Sequence, residues 1–216
     1  FKMGYRDRMK ESEGTFDSRS TSQAKVSPKL SVVYSPTERL ELLAKFGRGF
    51  HSNDARVVVV EDGKETLPGV TAVDLGLKYK PLPGMLVNLT GWYMHSSQEF
   101  VYVGDEAIVE PSGRSRRFGI DVGLRYNFLR DFYFRTDYTW CHARSIDEPK
   151  GEDYIPLAPV HTLTAGLTWK KNGFNAGVNC RWLSDRPANE DYSLTAQGYF
   201  IVDLNASYTY RRVTFG

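Results

Sequence analysis

The chain has 216 residues, and 13% of them are aromatic, a share too high for a disordered segment. It carries 28 basic and 26 acidic residues, a net charge of +2 at pH 7, and this charge is too small to attract nucleic acid over a broad surface. No run of about 18 apolar residues occurs, so a helical membrane span is excluded. A membrane-spanning β-barrel remains open, because inward polar residues offset outward apolar ones along each strand.

Short turns and long polar loops alternate along the chain. Between them lie segments of about ten residues, the length that a tilted strand needs to cross the hydrocarbon of a bilayer. These segments predict about nine strands, with a tenth near 4–9. In chain order the nine are 29–34, 39–50, 70–80, 85–95, 117–126, 132–143, 161–170, 174–183 and 199–210.

The connections between the predicted strands differ in length at the two ends. Outer-membrane barrels have short turns on the periplasmic side and long loops outside the cell, so this asymmetry favours such a barrel. The predicted short turns are 35–38, 81–84, 127–131, 171–173 and 211–212, and the predicted long loops lie near 10–27, 52–69, 98–114, 145–158 and 185–198.

Residues 117–126 show the strictest alternation in the chain. Period-two alternation over ten residues indicates a strand with one dry and one wet face, whereas a helix would mix the two sets. The apolar set is Phe118, Ile120, Val122, Leu124 and Tyr126, and the polar set is Arg117, Gly119, Asp121, Gly123 and Arg125.

Two carboxylates fall in the middle of predicted strands. A mid-strand carboxylate is costly unless it meets water or a partner. Asp121 and Asp137 both lie on the polar face, beside Arg117, Arg125 and Arg135. The sequence therefore predicts cross-strand ion pairs along a hydrated wall.

Aromatic residues of the apolar face gather at both strand ends, where an amphipathic ring suits the level of lipid headgroups. A soluble β-sandwich also has one apolar face per strand, but it has no reason to sort aromatic residues to its rims. The distribution therefore favours the membrane barrel over the sandwich. Near the short turns lie Tyr34, Tyr79, Tyr126, Trp169, Phe174 and Tyr210, and near the long loops lie Phe50, Tyr93, Phe118, Trp140, Trp182 and Phe200.

Five stretches occur in a characteristic order. They read SPKLSVVYSPT at 27–37, KFGRGF at 45–50, VDLGLKY at 73–79, SRRFGID at 115–121 and YIPLAPVHTL at 154–163. In this order and spacing they resemble the C-terminal part of the β-barrel of TonB-dependent outer-membrane receptors. In the third of these stretches, which resembles the strand after the next extracellular loop, the family usually has a glutamate where this chain has Asp74.

The resemblance implies an all-β fold, an antiparallel up-and-down transmembrane barrel of which this chain supplies about nine to ten of a probable 22 strands. The chain shows no signal peptide, and it stops where another strand would begin. We therefore expect 1–216 to be a fragment of a single barrel domain, with the plug domain and the closing strand outside it. Such receptors take energy from the TonB complex through the plug.

The function that the resemblance implies is active import of a scarce nutrient across the outer membrane of a Gram-negative bacterium. The expected ligand is a siderophore, another metal chelate, cobalamin or a glycan. The expected partners are outer-membrane lipid, the TonB complex, the ligand and a surface lipoprotein as a further candidate; nucleic acid is not expected. A passive porin and a soluble β-sandwich binding domain are the alternatives.

Candidate ligand-binding residues are basic and lie on the polar wall or at the long-loop rim. Guanidinium groups suit carboxylate and phosphate, so arginines there could attract an anionic ligand. The candidates are Arg48, His51, Arg117, Arg125 and Arg181.

The sequence offers little chemistry beyond binding. The histidines near the rim, among them His95 and His142, lack close ligand spacing, so neither a metal site nor a cofactor is expected. No phosphate loop or nucleophile elbow occurs, and Ser184 or Asp185 with His142 is the only hint of a hydrolase. We therefore predict that the protein is not an enzyme.

Overall fold

The computed structural model describes residues 2–6, 18–22, 24–51, 67–103 and 108–216. All regular elements in these ranges are strands, and no helix there has the length and apolar character needed to cross a membrane. The strands are β1 (Lys2–Arg6), β2 (Ser18–Ser22), β3 (Lys29–Thr37), β4 (Leu40–Phe50), β5 (Gly69–Tyr79), β6 (Met85–Ser96), β7 (Glu99–Val103), β8 (Ile108–Ser112), β9 (Ser115–Phe128), β10 (Phe132–Ser145), β11 (His161–Lys171), β12 (Phe174–Leu183), β13 (Arg186–Pro187), β14 (Thr195–Ala196), β15 (Tyr199–Tyr210) and β16 (Val213–Phe215).

Ten of these strands form one antiparallel sheet in the order β16-β15-β12-β11-β10-β9-β6-β5-β4-β3. Each strand lies beside the next long strand along the chain, which is the up-and-down connection predicted from the sequence. The sheet is not closed, since β3 and β16 lie at its two edges. The antiparallel all-β prediction is confirmed, and the total of 22 strands for a complete barrel stays a prediction.

Three small hairpins lie outside the main sheet: β1 with β2, β7 with β8, and β13 with β14. The last two occupy the segments 98–114 and 185–198, which the sequence analysis treated as loops. That expectation was incomplete, because each segment contains paired strands. The predicted strand near 4–9 corresponds in part to β1, and residues 7–9 lie outside the described ranges.

The first short turn lies closer to β4 than predicted. Strand β3 continues through Pro36, and the pairing shifts register between Tyr34 and Thr37; a proline fits at such an irregularity because it has no ladder hydrogen bond to lose. The hydroxyl of Thr37 then accepts hydrogen bonds from the main-chain N–H groups of Arg39 and Leu40, at 3.3 and 3.1 Å. The turn is therefore at 38–39 rather than across 35–38.

Apolar side chains of the sheet face outward. Phe118, Ile120 and Val122 of β9 are 36, 42 and 37% exposed, whereas Gly119 and Gly123 on the opposite face are buried. A sandwich would instead bury the apolar set between two layers. Within the described ranges the buried apolar side chains are few, namely Leu67, Ala143 and the prolines Pro68 and Pro187, so the β-sandwich alternative is wrong.

Candidate functional site

The inner face of the sheet is built from polar residues that bond across the strands. Arg125 of β9 makes a two-pronged ion pair with Asp137 of β10, with Nη2 2.7 and 2.8 Å from the two carboxylate oxygens. Its Nη1 donates to the carbonyls of Leu124 and Thr136, at 3.0 and 2.9 Å. Both terminal nitrogens of this guanidinium are thus engaged by the wall itself.

The other mid-strand carboxylate is also satisfied on this face. Asp121 accepts a hydrogen bond of 2.7 Å from the hydroxyl of Thr139. On the same face, Arg135 of β10 reaches across β11 and donates to the side-chain oxygen of Asn179 of β12 at 3.1 Å. The predicted cross-strand ion pairing is confirmed for Asp137, whose partner is Arg125, whereas for Asp121 the described partner is a hydroxyl.

Glycines on the inner face leave space for these long side chains. A Cβ at Gly166 would lie 2.6 Å from the side-chain oxygen of Asn179 and 3.1 Å from Nε of Arg135. A Cβ at Gly119 would lie 2.7 Å from the ring of Trp92. Side chains therefore lie flat across the wall, and glycine is the residue that permits this.

A cavity of about 780 Å³ lies at the long-loop end of β10, β11, β12 and β15. Two tyrosines of the loops, Tyr154 and Tyr192, lie against each other there with ring centroids 5.1 Å apart. The guanidinium of Arg144 lies 3.9 Å from the centroid of the Tyr154 ring and its Nε is 3.6 Å from Asp153. The main-chain N–H of Tyr154 donates to the carbonyl of Glu190 at 3.1 Å, which ties the two loops together.

A charge pair fixes a neighbouring loop at the same end. Arg114 donates from its main-chain nitrogen to Asp147 at 2.6 Å and from Nε at 2.9 Å. These hydrogen bonds, with the positive charge of Arg114, lower the pKa of Asp147 below its ordinary value. The rim around the cavity is therefore held by arginine and aromatic contacts that the sequence analysis did not single out.

The predicted binding residues do not form one cluster. Three of them face inward: Arg117, Arg125 and Arg181. Their paired residues on the neighbouring strands are Ala143, Arg135 and Thr164, in that order. Arg48 pairs with Thr71 and shares the parity of outward-facing Phe46. Since β4 and β12 are six strand steps apart in the sheet, Arg48 and Arg181 are separated by about 29 Å along it.

The fifth candidate, His51, directly follows β4, and its main-chain N–H donates to the carbonyl of Pro68 at 3.3 Å. Nothing in this placement tests whether any of the five residues contacts a ligand, so their role in binding stays a prediction. Both terminal nitrogens of Arg125 already bond to the wall. The contacts of Arg144 and Tyr154 at the cavity were not predicted from the sequence, since only the packing of the loops brings these residues together.

His142, Ser184 and Asp185, the residues of the hydrolase hint, line the cavity, but the polar groups of Ser184 and Asp185 bond to the main chain. The hydroxyl of Ser184 donates to the carbonyl of Asp185 at 3.0 Å and accepts from the N–H of His161 at 3.2 Å. Asp185 accepts from the N–H of Gly198 at 2.6 Å. Across the described ranges, no group of three or more His, Cys, Asp or Glu residues is placed to hold a metal ion.

One antiparallel sheet with an apolar outer face, a polar inner face and aromatic residues at both rims defines the wall of a transmembrane β-barrel. The family model described as "TonB dependent receptor-like, beta-barrel" matches residues 2–216. The chain therefore belongs to this family of outer-membrane receptors and transporters. A comparison with curated proteins finds no match.

Solved structures show the same fold. The ferric yersiniabactin uptake receptor FyuA from Yersinia pestis aligns with a TM-score of 0.74 at 11% identity, over 90% of this chain and 31% of its own length. The ferric citrate transporter FecA aligns at 0.70 and 16% identity, over 90% and 32%. The copper transporter OprC aligns at 0.68 and 14% identity, over 93% and 33%. The chain thus spans about a third of the length of these proteins.

Proposed function

We propose that this chain is part of the wall of an outer-membrane receptor that captures a scarce nutrient and imports it with energy supplied by TonB. The observation that carries the proposal is the match of residues 2–216 to the barrel model of TonB-dependent receptors. The outward apolar face and the hydrogen-bonded polar inner face support a place in the outer membrane of a Gram-negative bacterium.

The ligand class that we favour is a metal chelate of the siderophore kind. The solved neighbours support it, since they are an uptake receptor for ferric yersiniabactin, a ferric citrate transporter and a copper transporter. Arginines on the inner wall and at the rim would suit the carboxylate groups of many such chelates. Cobalamin and glycans remain alternatives within the same proposal, and a surface lipoprotein remains a candidate partner.

We further propose that the chain joins other strands and a plug domain to complete a barrel of about 22 strands. The edge strand β3 supports this, because Leu30, Val32, Val33 and Tyr34, which lie on both of its faces, are 63, 51, 54 and 63% exposed. An open strand edge is costly inside a membrane unless another strand pairs with it.

Uptake by a deletion strain tests the proposal. Cells lacking the gene should fail to accumulate one radiolabelled iron chelate from a panel, and the intact gene should restore accumulation. Removal of TonB should abolish the same uptake, because active import needs its energy.

Unchanged accumulation of every compound in the panel would contradict the import function. Uptake that depends on the gene but persists without TonB would instead identify a passive porin, the other barrel class that has a polar interior. The two results separate the two readings of the same polar wall.

A further inference from the structure

Four basic residues lie in register across the inner face of the sheet at its short-turn end. Lys80 directly follows β5, and its main-chain N–H donates to the carbonyl of Arg39 at 2.8 Å. Lys80 also lies beside Leu86 of β6, one step past the last pair of the β5–β6 ladder. Leu86 pairs with Arg125 of β9, and Arg125 pairs with Arg135 of β10. We call Arg39, Lys80, Arg125 and Arg135 the inner basic belt.

Neighbouring side chains show that the belt lies on the inner face. Tyr79, the residue before Lys80, is 42% exposed on the apolar outer face, and side chains alternate between the faces along a strand. Arg125 points inward as well, because it bonds to Asp137 across the polar wall. Three strand steps separate Arg39 from Arg125, about 14 Å along the sheet.

The carboxylates of the wall balance this belt only in part. Arg125 and Arg135 lie directly opposite each other, an arrangement that destabilises a sheet unless an opposite charge is near. Asp137 supplies a carboxylate to Arg125, whereas Arg135 donates to a neutral amide. Arg39 and Lys80 are exposed, and in the part of the chain that the structure describes no carboxylate forms an ion pair with either.

Two glutamates lie near Arg39 without neutralising the belt. Glu41 of β4 faces Lys78 of β5, with 4.0 Å between its carboxylate and Nζ. Glu38 lies beside Arg39 in the turn and forms no ion pair within the described ranges. Even when both glutamates are counted, the cations of this part of the inner face outnumber the carboxylates.

A cavity of about 480 Å³ lies on the belt. It is lined by Arg39, Lys80 and Arg125 together with the apolar side chains of Leu82, Met85 and Leu86. Its volume is typical of sites for small organic molecules, and such sites combine apolar surface with a few placed charges. A small anion with an apolar portion fits this lining, because guanidinium and ammonium groups bond to carboxylate oxygens.

We propose that this cavity is an exit site, at which a small organic anion with carboxylate groups binds to the inner wall before it enters the periplasm. The inference rests on the proposed function, which gives import its direction and the short-turn end its periplasmic position. The exit site is separate from capture at the rim, because Arg125 lies about 33 Å along β9 from Ser115 at the long-loop end.

The exposure of Arg39 and Lys80 suits a site through which an anion passes. Exposed charges attract an anion only modestly in water. A site on a transport path has to bind weakly enough to release what it binds. We therefore expect the exit site to attract the anion without retaining it.

Thiol labelling tests the exit site without knowledge of the cargo. In purified full-length protein with Cys141 and Cys180 replaced by alanine, Leu86→Cys places one thiol beside Lys80 and Arg125, and the same protein without this substitution is the blank. The probes are two methanethiosulfonates, one with a sulfonate group and one with a trimethylammonium group. The ratio of their rates reports the local charge, and it cancels any change in the thiolate fraction because both probes attack the same thiolate.

The sulfonate probe should react faster than the trimethylammonium probe, relative to their rates with free cysteine. Lys80→Gln should lower this ratio about three-fold, because a charge one strand away changes the two rates in opposite directions. Arg39→Gln should lower it about two-fold, since Arg39 is one strand further from the thiol, and Lys80→Arg should keep the ratio. Millimolar citrate should slow labelling by the sulfonate probe, and the double variant Arg39→Gln/Lys80→Gln should lose this protection.

Lys170→Gln is the matched control. Lys170 of β11 is an exposed cation on the inner face at the same end of the sheet, but β11 lies three strand steps from β6. At about 14 Å its charge is largely screened by salt, so the ratio should not change. A shift of the folded band on unheated gels checks that every variant forms the barrel.

An introduced thiol that neither probe labels would overturn the proposal, since the plug domain would then fill the cavity. Equal relative rates of the two probes, an unchanged ratio in the double variant, or labelling that citrate does not slow would overturn it as well. None of these measurements uses uptake or TonB. A failed uptake assay therefore leaves the labelling result readable, and failed labelling leaves the import function standing.

Discussion

The two faces of the same strands are stabilised in different ways. On the inner face of β9 and β10, Arg125 and Asp137 bond to each other and buried glycines make room for long side chains. On the outer face, Ile120 and Val122 are exposed and need surroundings that the chain does not supply. The comparison teaches that bonds within the protein stabilise the inner face, whereas the outer face depends on apolar surroundings such as the lipid of a bilayer.

The largest expected effect comes from a charge on the outer face. Val122→Arg should destabilise the folded protein in a bilayer by about 2–4 kcal/mol, because a guanidinium would enter the hydrocarbon. The inward Thr164→Arg, at an exposed position of β11, should cost less than about 1 kcal/mol since it meets water. Urea unfolding in lipid vesicles measures both, and equal costs would contradict the assignment of the faces.

A methyl group added to glycine should also distinguish the faces. Gly166→Ala should cost about 1–2 kcal/mol, because its Cβ would lie 2.6 Å from the Asn179 oxygen and displace the bond from Arg135. Gly91→Ala on the outer face should be neutral or slightly stabilising, because no atom lies within 4 Å of its Cβ. The same unfolding assay compares them, and a reversed order would show that the inner wall is not tightly packed.

The inner ion pair should contribute a smaller but specific coupling. A double-mutant cycle of Arg125→Ala and Asp137→Ala should give a coupling free energy of about 1 kcal/mol, since one guanidinium nitrogen contacts both carboxylate oxygens but the pair is partly exposed. The cycle is measured by unfolding at low and high salt. Independent effects of the two substitutions would mean that the pair does not stabilise the wall.

The smallest expected effect is a pH-dependent loosening of the rim. Arg114 lowers the pKa of Asp147, so the contact stabilises the loop above the unfolded pKa of about 3.9 and is lost as the pH falls through the lower, folded pKa. The N–H of Arg114, which donates to Asp147 at 2.6 Å, should be protected from hydrogen exchange at pH 6 and lose that protection once the pH is below the lowered pKa of Asp147.

Asp147→Asn is the matching variant for the rim contact, because it removes the charge and keeps the shape of the side chain. The N–H of Arg114 should then exchange faster at pH 6 and show little further change on acidification. Unaltered protection in this variant would assign the order of the loop to its other contacts.

Much of the main sheet could be predicted because alternation reports the faces of a strand directly. The phases of β9 and β10 follow from the sequence, and with them the inward place of Arg117, Arg125 and Asp137. The turn at 38–39 could not be predicted, since the continuation of β3 past Pro36 depends on pairing with β4. The hairpin of β7 and β8 was missed because its strands are shorter than a membrane-crossing segment.

The sequence by itself determined the fold class, the direction of most side chains and, through its motifs, the family. Those properties are local, because a period of two and the length of a turn are set by neighbouring residues. Only the tertiary structure decided which residues lie side by side, since pairing register joins strands far apart in the chain. The opposition of Arg116 and Arg144, the flat packing of Arg135 over Gly166 and the tyrosine contact at the cavity all depend on that register.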